Sequence, residues 1–303
     1  MIIRPRPHPL QLLFIIRGSI VVQVAPKVLT ITLLSCLVVW LTQTHVIPTL
    51  NAGAAPFSVM AIALSVFLGF RNNTSYDRWW EARKQWGELI VQARAFSRES
   101  LAVLADSARA ERLIRRSIGF AHALSARLRE QDAAAAAQAW LPVVEREPLL
   151  RQVNVPDALL RLINQDLAQS LRQGEITDIV YQGLLQRLLA MTGVQTACER
   201  IRTTPPPFAY SLLLHRTAWL FCLLLPFGLA GALGLVTPLV VAIIAYTFFG
   251  LDELGDELEE PFGLSANDLP LNAMVRTIEI DLLSALGVEP LPEPLTPVKY
   301  ILH

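Results

Sequence analysis

Two pairs of apolar segments enclose a long charged region in this chain. The first pair comprises Val28 to Val46 and Ala55 to Phe70, separated by a turn rich in Pro, Gly and Asn at residues 47–56. At a rise of about 1.5 Å per residue, the first segment is long enough to cross a hydrocarbon layer of about 30 Å. The second segment is shorter, but no proline interrupts the pattern after it, which predicts one long helix continuing into the polar region.

The second pair of apolar segments follows the charged region. These segments are Thr217 to Val236, which contains a proline and several glycines, and Pro238 to Leu251. The proline predicts a kink and the glycines predict close helix contacts. Both are tolerated where neighbouring helices surround a span. The last segment is too short to cross comfortably alone, so we expect help from tilt, a thin bilayer or neighbouring subunits.

The charged region between the two pairs has helical periodicity. Its apolar residues recur at spacings of three and four, which is typical of amphipathic helices that pack on one another. It shows neither strand alternation nor a repeat of fixed period, and a proline-rich tail after the last apolar segment predicts an extended arm.

Composition supports a bilayer as the solvent of the apolar segments. Hydrophobic residues make up 53% of the chain and charged residues 17%, below the roughly 25% of ordinary soluble domains. The predicted fold class is therefore an all-α membrane protein with four transmembrane segments and a cytosolic helical bundle.

The distribution of Lys and Arg predicts the topology. Neither residue type occurs from Thr42 to Pro56 or around Thr237, whereas both occur before the first segment and after the second. By the positive-inside rule, we expect both termini and the central region of this multi-pass protein on the cytosolic side of its membrane. The predicted parts are an N-terminal interfacial segment at 1–27, transmembrane segments 1 and 2 at 28–70, a cytosolic helical region at 71–206, transmembrane segments 3 and 4 at 207–251, and a cytosolic C-terminal region at 252–303.

Several function classes find no support in the residues. The formal net charge is +0, which gives no reason to expect nucleic acid as a partner. Three cysteines and five histidines show no metal-ligand spacing, and no convergent set of acid, base or metal ligands is present. We therefore expect no enzyme activity, no cofactor and no metal site.

The second segment carries a stripe of three apolar residues. Ile62, Val66 and Phe70 recur every four residues and so lie on one helix face. From spacing alone, the stripe is either a packing face against another helix or, with several copies around an axis, an apolar neck that gates by dewetting. Asn72 and Asn73 follow and are candidates for lining a hydrated vestibule.

Charged residues near the last two segments also have two interpretations. The acidic run at 252–260 either forms a solvated helix end, which is the commoner case, or binds a cation or lines a conduction path. His215, just before the third segment, is expected at the cytosolic interface rather than in the middle of the membrane.

Two motifs in this chain resemble the bestrophin family. SVFLGF followed by RWW is similar to the second transmembrane segment of bestrophins, and EPFGLSANDLP resembles their PFG segment with its acidic cluster. The order of segments also agrees over nearly the whole chain. The resemblance implies a homopentameric ring around one axial pore, with a three-ring apolar neck that matches Ile62, Val66 and Phe70.

The resemblance implies two further features of the pore. The segment ITDIVYQG matches a second, cytosolic constriction, for which Val180 is the candidate, with Ile179 as its neighbour. Animal bestrophins follow PFG with an acidic run that helps to form a calcium clasp, but Asp268 is the only acidic residue left here. One carboxylate cannot supply the six to eight oxygens that calcium prefers, so we expect no calcium gating through this site.

The predicted function is passive flux of small monovalent ions by a bacterial bestrophin in the lipid bilayer. The sign of the ion stays open, because animal relatives pass chloride while an apolar neck is equally compatible with a sodium-type cation. The alternative is a membrane-anchored scaffold that binds partners through its cytosolic helices.

Overall fold

Helices form most of the structure, a computed structural model that describes residues 1–5, 8–12, 14–16, 18–48 and 55–303. In chain order they are α1 (Pro9–Leu12), α2 (Val21–Gln43), α3 (Ala55–Val103), α4 (Ser107–Leu128), α5 (Ala133–Ala137), α6 (Val143–Leu150), α7 (Val155–Arg172), α8 (Asp178–Thr203), α9 (Phe208–Leu233), α10 (Thr237–Glu259) and α11 (Leu271–Ala285). The described residues contain isolated β-bridges but no strand, which confirms the all-helical prediction.

Among the residues that the structure describes, three stretches are long and apolar enough to cross a membrane: Val21–Gln43, Ala55–Val103 and Phe208–Glu259. They overlap the four apolar segments predicted from the sequence, because the third stretch includes both α9 and α10. Of the predicted turn between the first two segments, residues 49–54 lie outside the described residues.

The third stretch is a helical hairpin rather than one helix. The ring of Phe221 lies 5.1 Å from that of Phe248, and the ring of Trp219 lies 4.8 Å from that of Phe249, so α9 and α10 run antiparallel. A 3-10 turn, Gly234–Val236, joins them. Gly234 has φ +52° and ψ −126°, a conformation open essentially only to glycine.

The long helix predicted after the second apolar segment is confirmed. α3 has 49 residues and continues without a break from the apolar segment into the charged region. It ends shortly before Asp106, whose side chain accepts hydrogen bonds from the backbone N–H groups of Ala108 and Arg109 and so starts α4.

The first and last spans differ in extent from the predicted segments. α2 begins at Val21 rather than Val28, and ends at Gln43 because His45 takes a left-handed conformation with φ +58°. α10 does not stop at Leu251 but continues through the acidic run to Glu259, and Pro261 follows its end.

The chain divides into two compact units. The apolar unit comprises Arg4–Trp79 and Pro205–Glu260, and the polar unit comprises Met1–Ile3, Trp80–Thr204 and Pro261–His303. The predicted boundaries at 70/71 and 251/252 therefore fall inside the apolar unit, since residues 71–79 and 252–260 belong to it.

The apolar unit has a core to which four helices contribute. Ile31 of α2, Leu68 of α3, Phe221 of α9 and Phe249 of α10 are almost fully buried in it. The predicted close contact at the glycines of the third segment is found at Gly228, where a Cβ atom would overlap the ring of Phe57.

The polar unit is built around α4, which packs against α5, α7, α8 and α11. Ile118 and Phe120 of α4 are completely buried. The proline-rich tail carries no helix, and its end pairs with the start of the chain: the N–H of Ile3 donates to the carbonyl of Tyr300 at 2.9 Å. The predicted extended arm is thus held at its end.

Candidate pore-lining surface

The predicted apolar stripe lies on the outer surface of α3. The exposed fractions of Ile62, Val66 and Phe70 are 66%, 47% and 59%. Leu64 and Leu68, which bury 98% or more of their surface in the apolar unit, point about 160° away from Val66 at the helical turn of 100° per residue. The stripe therefore does not pack against another helix of the same chain.

The two asparagines after the stripe lie in different surroundings. Asn73 is exposed, whereas Asn72 is half-buried and its Oδ1 atom is buried without a hydrogen-bond partner. A Cβ atom on Gly255 of α10 would lie 2.8 Å from that oxygen. Of the two vestibule candidates, only Asn73 is open to solvent in the single chain.

Arg71, the residue after Phe70, is almost completely buried, with 2% of its surface exposed. Its Nη1 atom donates to the carboxylate of Asp252 at 2.8 Å and to the backbone carbonyl of Asp252 at 3.2 Å. Its Nη2 atom donates to Asp256 and lies 3.4 Å from Glu259. One guanidinium of α3 thus satisfies three carboxylates of α10.

The same carboxylate connects Arg71 to α9. Asp252 binds Arg71 through Oδ1, while its Oδ2 atom lies 2.7 Å from Nδ1 of His215. Together, Arg71, His215, Asp252, Asp256 and Glu259 form what we call the Arg71 cluster, which links α3, α9 and α10 within the apolar unit.

The acidic run at 252–260 is therefore not simply a solvated helix end. Asp252 is fully buried, and Glu253 forms a salt bridge with Lys27 of α2 at 2.7 Å. The interpretation as a solvated helix end is wrong for Asp252, because its carboxylate is buried. The cost of burying this charge is offset by Arg71, an arginine distant in sequence.

The Arg71 cluster was missed by the reasoning from sequence. One signal was present: Asp252, Asp256 and Glu259 are spaced by four and three residues, which places them on one face of a helix. Carboxylates on one face at the end of an apolar helix predict a cation as their partner. Nothing in their spacing identifies Arg71 as that cation.

The candidates for the second constriction lie in the first turn of α8. Thr177 caps this helix by accepting a hydrogen bond from the N–H of Val180 at 3.4 Å. Ile179 is 77% exposed, whereas Val180 is half-buried. Of the two, Ile179 presents the larger apolar surface to the outside of the single chain.

The PFG segment forms a tight turn that uses Asp268 internally. Asp268 is 4% exposed, and its Oδ2 atom accepts a hydrogen bond from the N–H of Ser265 at 2.7 Å. Arg129 donates to the carbonyl of Phe262 at 3.3 Å. Burial lowers the pKa of the Arg129 guanidinium, and the charge of Asp268 opposes this shift. Within the described residues, no group of three or more His, Cys, Asp or Glu side chains is placed to hold a metal ion.

Comparison with known proteins gives consistent matches along the chain. The model of the family described as Bacterial/Fungal Bestrophin protein matches residues 1–284. A voltage-dependent anion channel-forming protein of Mesorhizobium japonicum is 41% identical over 96% of this chain and 94% of its own length. The voltage-dependent anion channel-forming protein YneE of Escherichia coli is 39% identical over 99% of both chains.

The fold also matches solved structures. The crystal structure of a bacterial bestrophin homologue from Klebsiella pneumoniae superposes with a TM-score of 0.83 at 38% identity, covering 88% of this chain and 100% of that one.

Proposed function

The chain belongs to the bacterial and fungal bestrophin family, and we propose that five copies assemble into a passive channel for small monovalent ions. The observation that carries this proposal is the exposed stripe of Ile62, Val66 and Phe70 on α3. An apolar stripe of this kind needs a cover of lipid or of other protein. Identical copies around an axis cover it by placing their stripes opposite one another.

In such a ring, the three residues form three successive apolar constrictions. Water leaves a narrow apolar neck easily, and ions do not enter a dewetted segment, so small changes in radius open or close the path. The neck itself has no charged ring, and Asn73 on the exposed side of α3 is a polar residue suited to the hydrated space beyond it.

The hairpin of α9 and α10 supports four membrane crossings. With 26 residues, α9 is long enough for a hydrocarbon layer of about 30 Å. α10 has 23 residues but turns acidic from Asp252 onward, so its apolar part still needs tilt, a thin bilayer or neighbouring subunits. Together with α2 and α3, an even number of crossings places both termini on one side of the membrane. The Lys and Arg around residues 1–27 and 71–84 favour the cytosolic side of the inner membrane.

A second constriction is assigned to the first turn of α8. The resemblance matches this segment to the cytosolic constriction of bestrophins, and the exposure of Ile179 favours it over Val180 as the side chain that reaches the path. Asp268 is already occupied by the turn that it closes, which supports a channel without calcium-clasp gating.

The sign of the permeating ion is a separate question. The relatives in Mesorhizobium and Escherichia are called anion channel-forming proteins. In the acidic run, four of the six carboxylates contact Arg71 or Lys27. The negative charge that these two cations leave would favour cations only where it faces the path. Anion and sodium-type cation flux both fit the proposed neck.

Reconstitution in planar bilayers under bi-ionic gradients tests the channel. We expect passive conductance that rises at least about twofold in Ile62→Ala, Val66→Ala and Phe70→Ala, because a wider neck dewets less readily. Exposed leucines of α2 give matched controls, and Leu33→Ala and Leu37→Ala should leave conductance unchanged. The reversal potential gives the ion sign, and a chelator should have no effect.

Three outcomes would count against this assignment. Well-folded pentamers without conductance would favour the scaffold function. If the three neck substitutions leave conductance unchanged, the stripe does not line the pore. Strong activation by calcium would contradict the absence of clasp gating.

A further inference from the structure

We propose that Arg71 is a positioning residue for the neck: by binding Asp252 it fixes the rotation of α3 and so the direction in which Phe70 points. This inference rests on the proposed function, because it assumes that Phe70 lines a pore. It assigns a role in conduction to a charged cluster that does not itself touch the permeating ion.

The position of Arg71 in the chain couples it to Phe70. It directly follows Phe70 on an unbroken helix, so the two side chains are separated by about 100° of rotation. Phe70 is 59% exposed and Arg71 is 2% exposed. A rotation of α3 that moves Phe70 also moves the Cα and Cβ atoms of Arg71 relative to the acceptors on α10, so the side chain must change its torsions to keep its contacts.

The contacts of Arg71 are directional. Leu64 and Leu68, the buried apolar residues before Arg71 on α3, make apolar contacts, which tolerate small rotations of a helix. The planar guanidinium instead donates to both the carboxylate and the backbone carbonyl of Asp252, and these directional bonds restrict the rotation of α3 more than apolar contacts do.

The acceptor, Asp252, is itself held in place by a second helix. Asp252 has 0% exposure and also binds His215 of α9 through its second carboxylate oxygen. Gly255, one turn further along α10, makes room for the guanidinium, because a Cβ atom there would lie 3.3 Å from both Cζ and Nη1 of Arg71. The position of the guanidinium is therefore set by α9 and α10 together.

A buried ion pair gains little over well-packed apolar residues of similar volume, since the attraction mainly offsets the cost of removing two charges from water. An arrangement of this kind is better explained by the single geometry that it selects than by a gain in stability. The geometry selected here is that of the residue next to Phe70.

The test combines Arg71→Met and Asp252→Leu in one protein. Because both charges of the pair are removed together, we expect this double variant to assemble with the elution volume of the wild-type oligomer. Its conductance in planar bilayers should differ from that of the wild type by about threefold or more, since Phe70 is no longer held in one direction.

A double-mutant cycle with Phe70→Ala distinguishes positioning from a general effect on the fold. If the pair acts through Phe70, the substitutions at 71 and 252 should change conductance by less than about 1.5-fold when Phe70 is already alanine. An effect that persists undiminished in the Phe70→Ala background, or a double variant that conducts like the wild type, overturns the inference.

A milder variant covers the case in which the double variant does not assemble. Gly255→Ala keeps every charge but presses on Arg71 and Asn72, so it should also shift conductance, again only while Phe70 is present. Gly193→Ala is its matched control, because a Cβ atom at Gly193 meets nothing within 4 Å. Equal conductance of the Gly255→Ala and Gly193→Ala proteins overturns the inference.

Failure of this inference is separable from failure of the proposed function. If the wild type does not conduct, or the three neck substitutions have no effect, the channel assignment fails and the inference falls with it. If the neck substitutions change conductance and the variants at Arg71, Asp252 and Gly255 do not, only the inference fails.

Discussion

Each of the two units contains a buried arginine held by carboxylates of other helices. In the polar unit, Arg116 of α4 binds Glu145 of α6 through two parallel hydrogen bonds of 3.0 and 2.6 Å, and Asp166 of α7 at 2.8 Å. In the apolar unit, Arg71 binds Asp252 and Asp256 of α10. The chemistry is the same in both units, yet the surroundings give the two arginines different roles.

The difference lies in what is next to each arginine. Ser117 and Ile118, the two residues after Arg116, are buried, and the partly exposed Arg115 before it pairs with Glu111 of the same helix. The ion pairs of Arg116 therefore join helices of the polar unit, and no exposed apolar residue is next to Arg116 in the chain. Arg71 adjoins an exposed aromatic side chain of the proposed neck. Burial lowers the pKa of Arg116, but the hydrogen bond to Glu145 and the charge of Asp166 together raise it by more than burial lowers it. The pKa is therefore raised overall, and the group stays charged. We conclude that a buried ion pair reveals its role through its neighbours.

The largest expected effect is that of Arg116→Met. This change leaves the carboxylates of Glu145 and Asp166 without their buried cation, which should lower the free energy of unfolding by about 3–5 kcal/mol. Denaturant unfolding in detergent, followed by tryptophan fluorescence, measures the loss. Channels that still assemble should conduct like the wild type.

The matched control for Arg116→Met is Arg151→Met. Arg151 and its partner Glu147 are both 77% exposed, so breaking this pair should change stability by no more than about 0.5 kcal/mol. The comparison fails if Arg116→Met alters conductance while leaving stability intact.

An intermediate effect is expected for Asp252→Asn. The amide keeps one oxygen for Arg71 but loses the charge, so stability should fall by about 1–3 kcal/mol. Unlike Arg116→Met, Asp252→Asn should also change conductance. Bilayer recording and denaturant unfolding on the same preparation measure the changes in conductance and in stability.

Glu253→Gln is the control for Asp252→Asn. Its salt bridge with Lys27 is partly exposed, with 18% and 23% of the two side chains accessible, and should be worth less than about 1 kcal/mol. Unchanged conductance in Asp252→Asn, with the expected loss of stability, would make the two buried arginines equivalent.

The smallest effect is expected for Glu259→Gln. Its carboxylate lies 3.4 Å from Nη2 of Arg71, at the outer limit of a hydrogen bond. We therefore expect the free energy of unfolding to fall by less than about 0.5 kcal/mol and the conductance to stay unchanged. A clear change in conductance would show that Glu259, rather than Asp252, holds Arg71 in place.

The elements that were predictable from the sequence depend on local pattern. The unbroken course of α3 follows from the absence of proline within it, and the four-residue spacing of Ile62, Val66 and Phe70 placed them on one face, which the structure shows to be exposed. Their role in a pore stays a prediction, because it depends on copies of the chain that a single sequence does not describe.

The elements that were missed depend on contacts between distant residues. Arg71 and Asp252 are 181 residues apart in the chain, and no spacing rule relates them. The same holds for Asn72, whose half-buried position follows from the lack of a side chain at Gly255. The acidic run looked solvated because a pattern along one helix does not show which cations other helices bring to it.

The turn at Gly234 limits the insertions and deletions that α10 tolerates. It fixes the start of α10, and each residue after it adds about 100° of rotation and 1.5 Å of rise. A single insertion or deletion between Thr237 and Leu251 would therefore turn Asp252 away from both Arg71 and His215, whereas exchanges among apolar residues there would not. In this stretch the number of residues matters more than their identity, so related channels should vary in sequence there far more readily than in length.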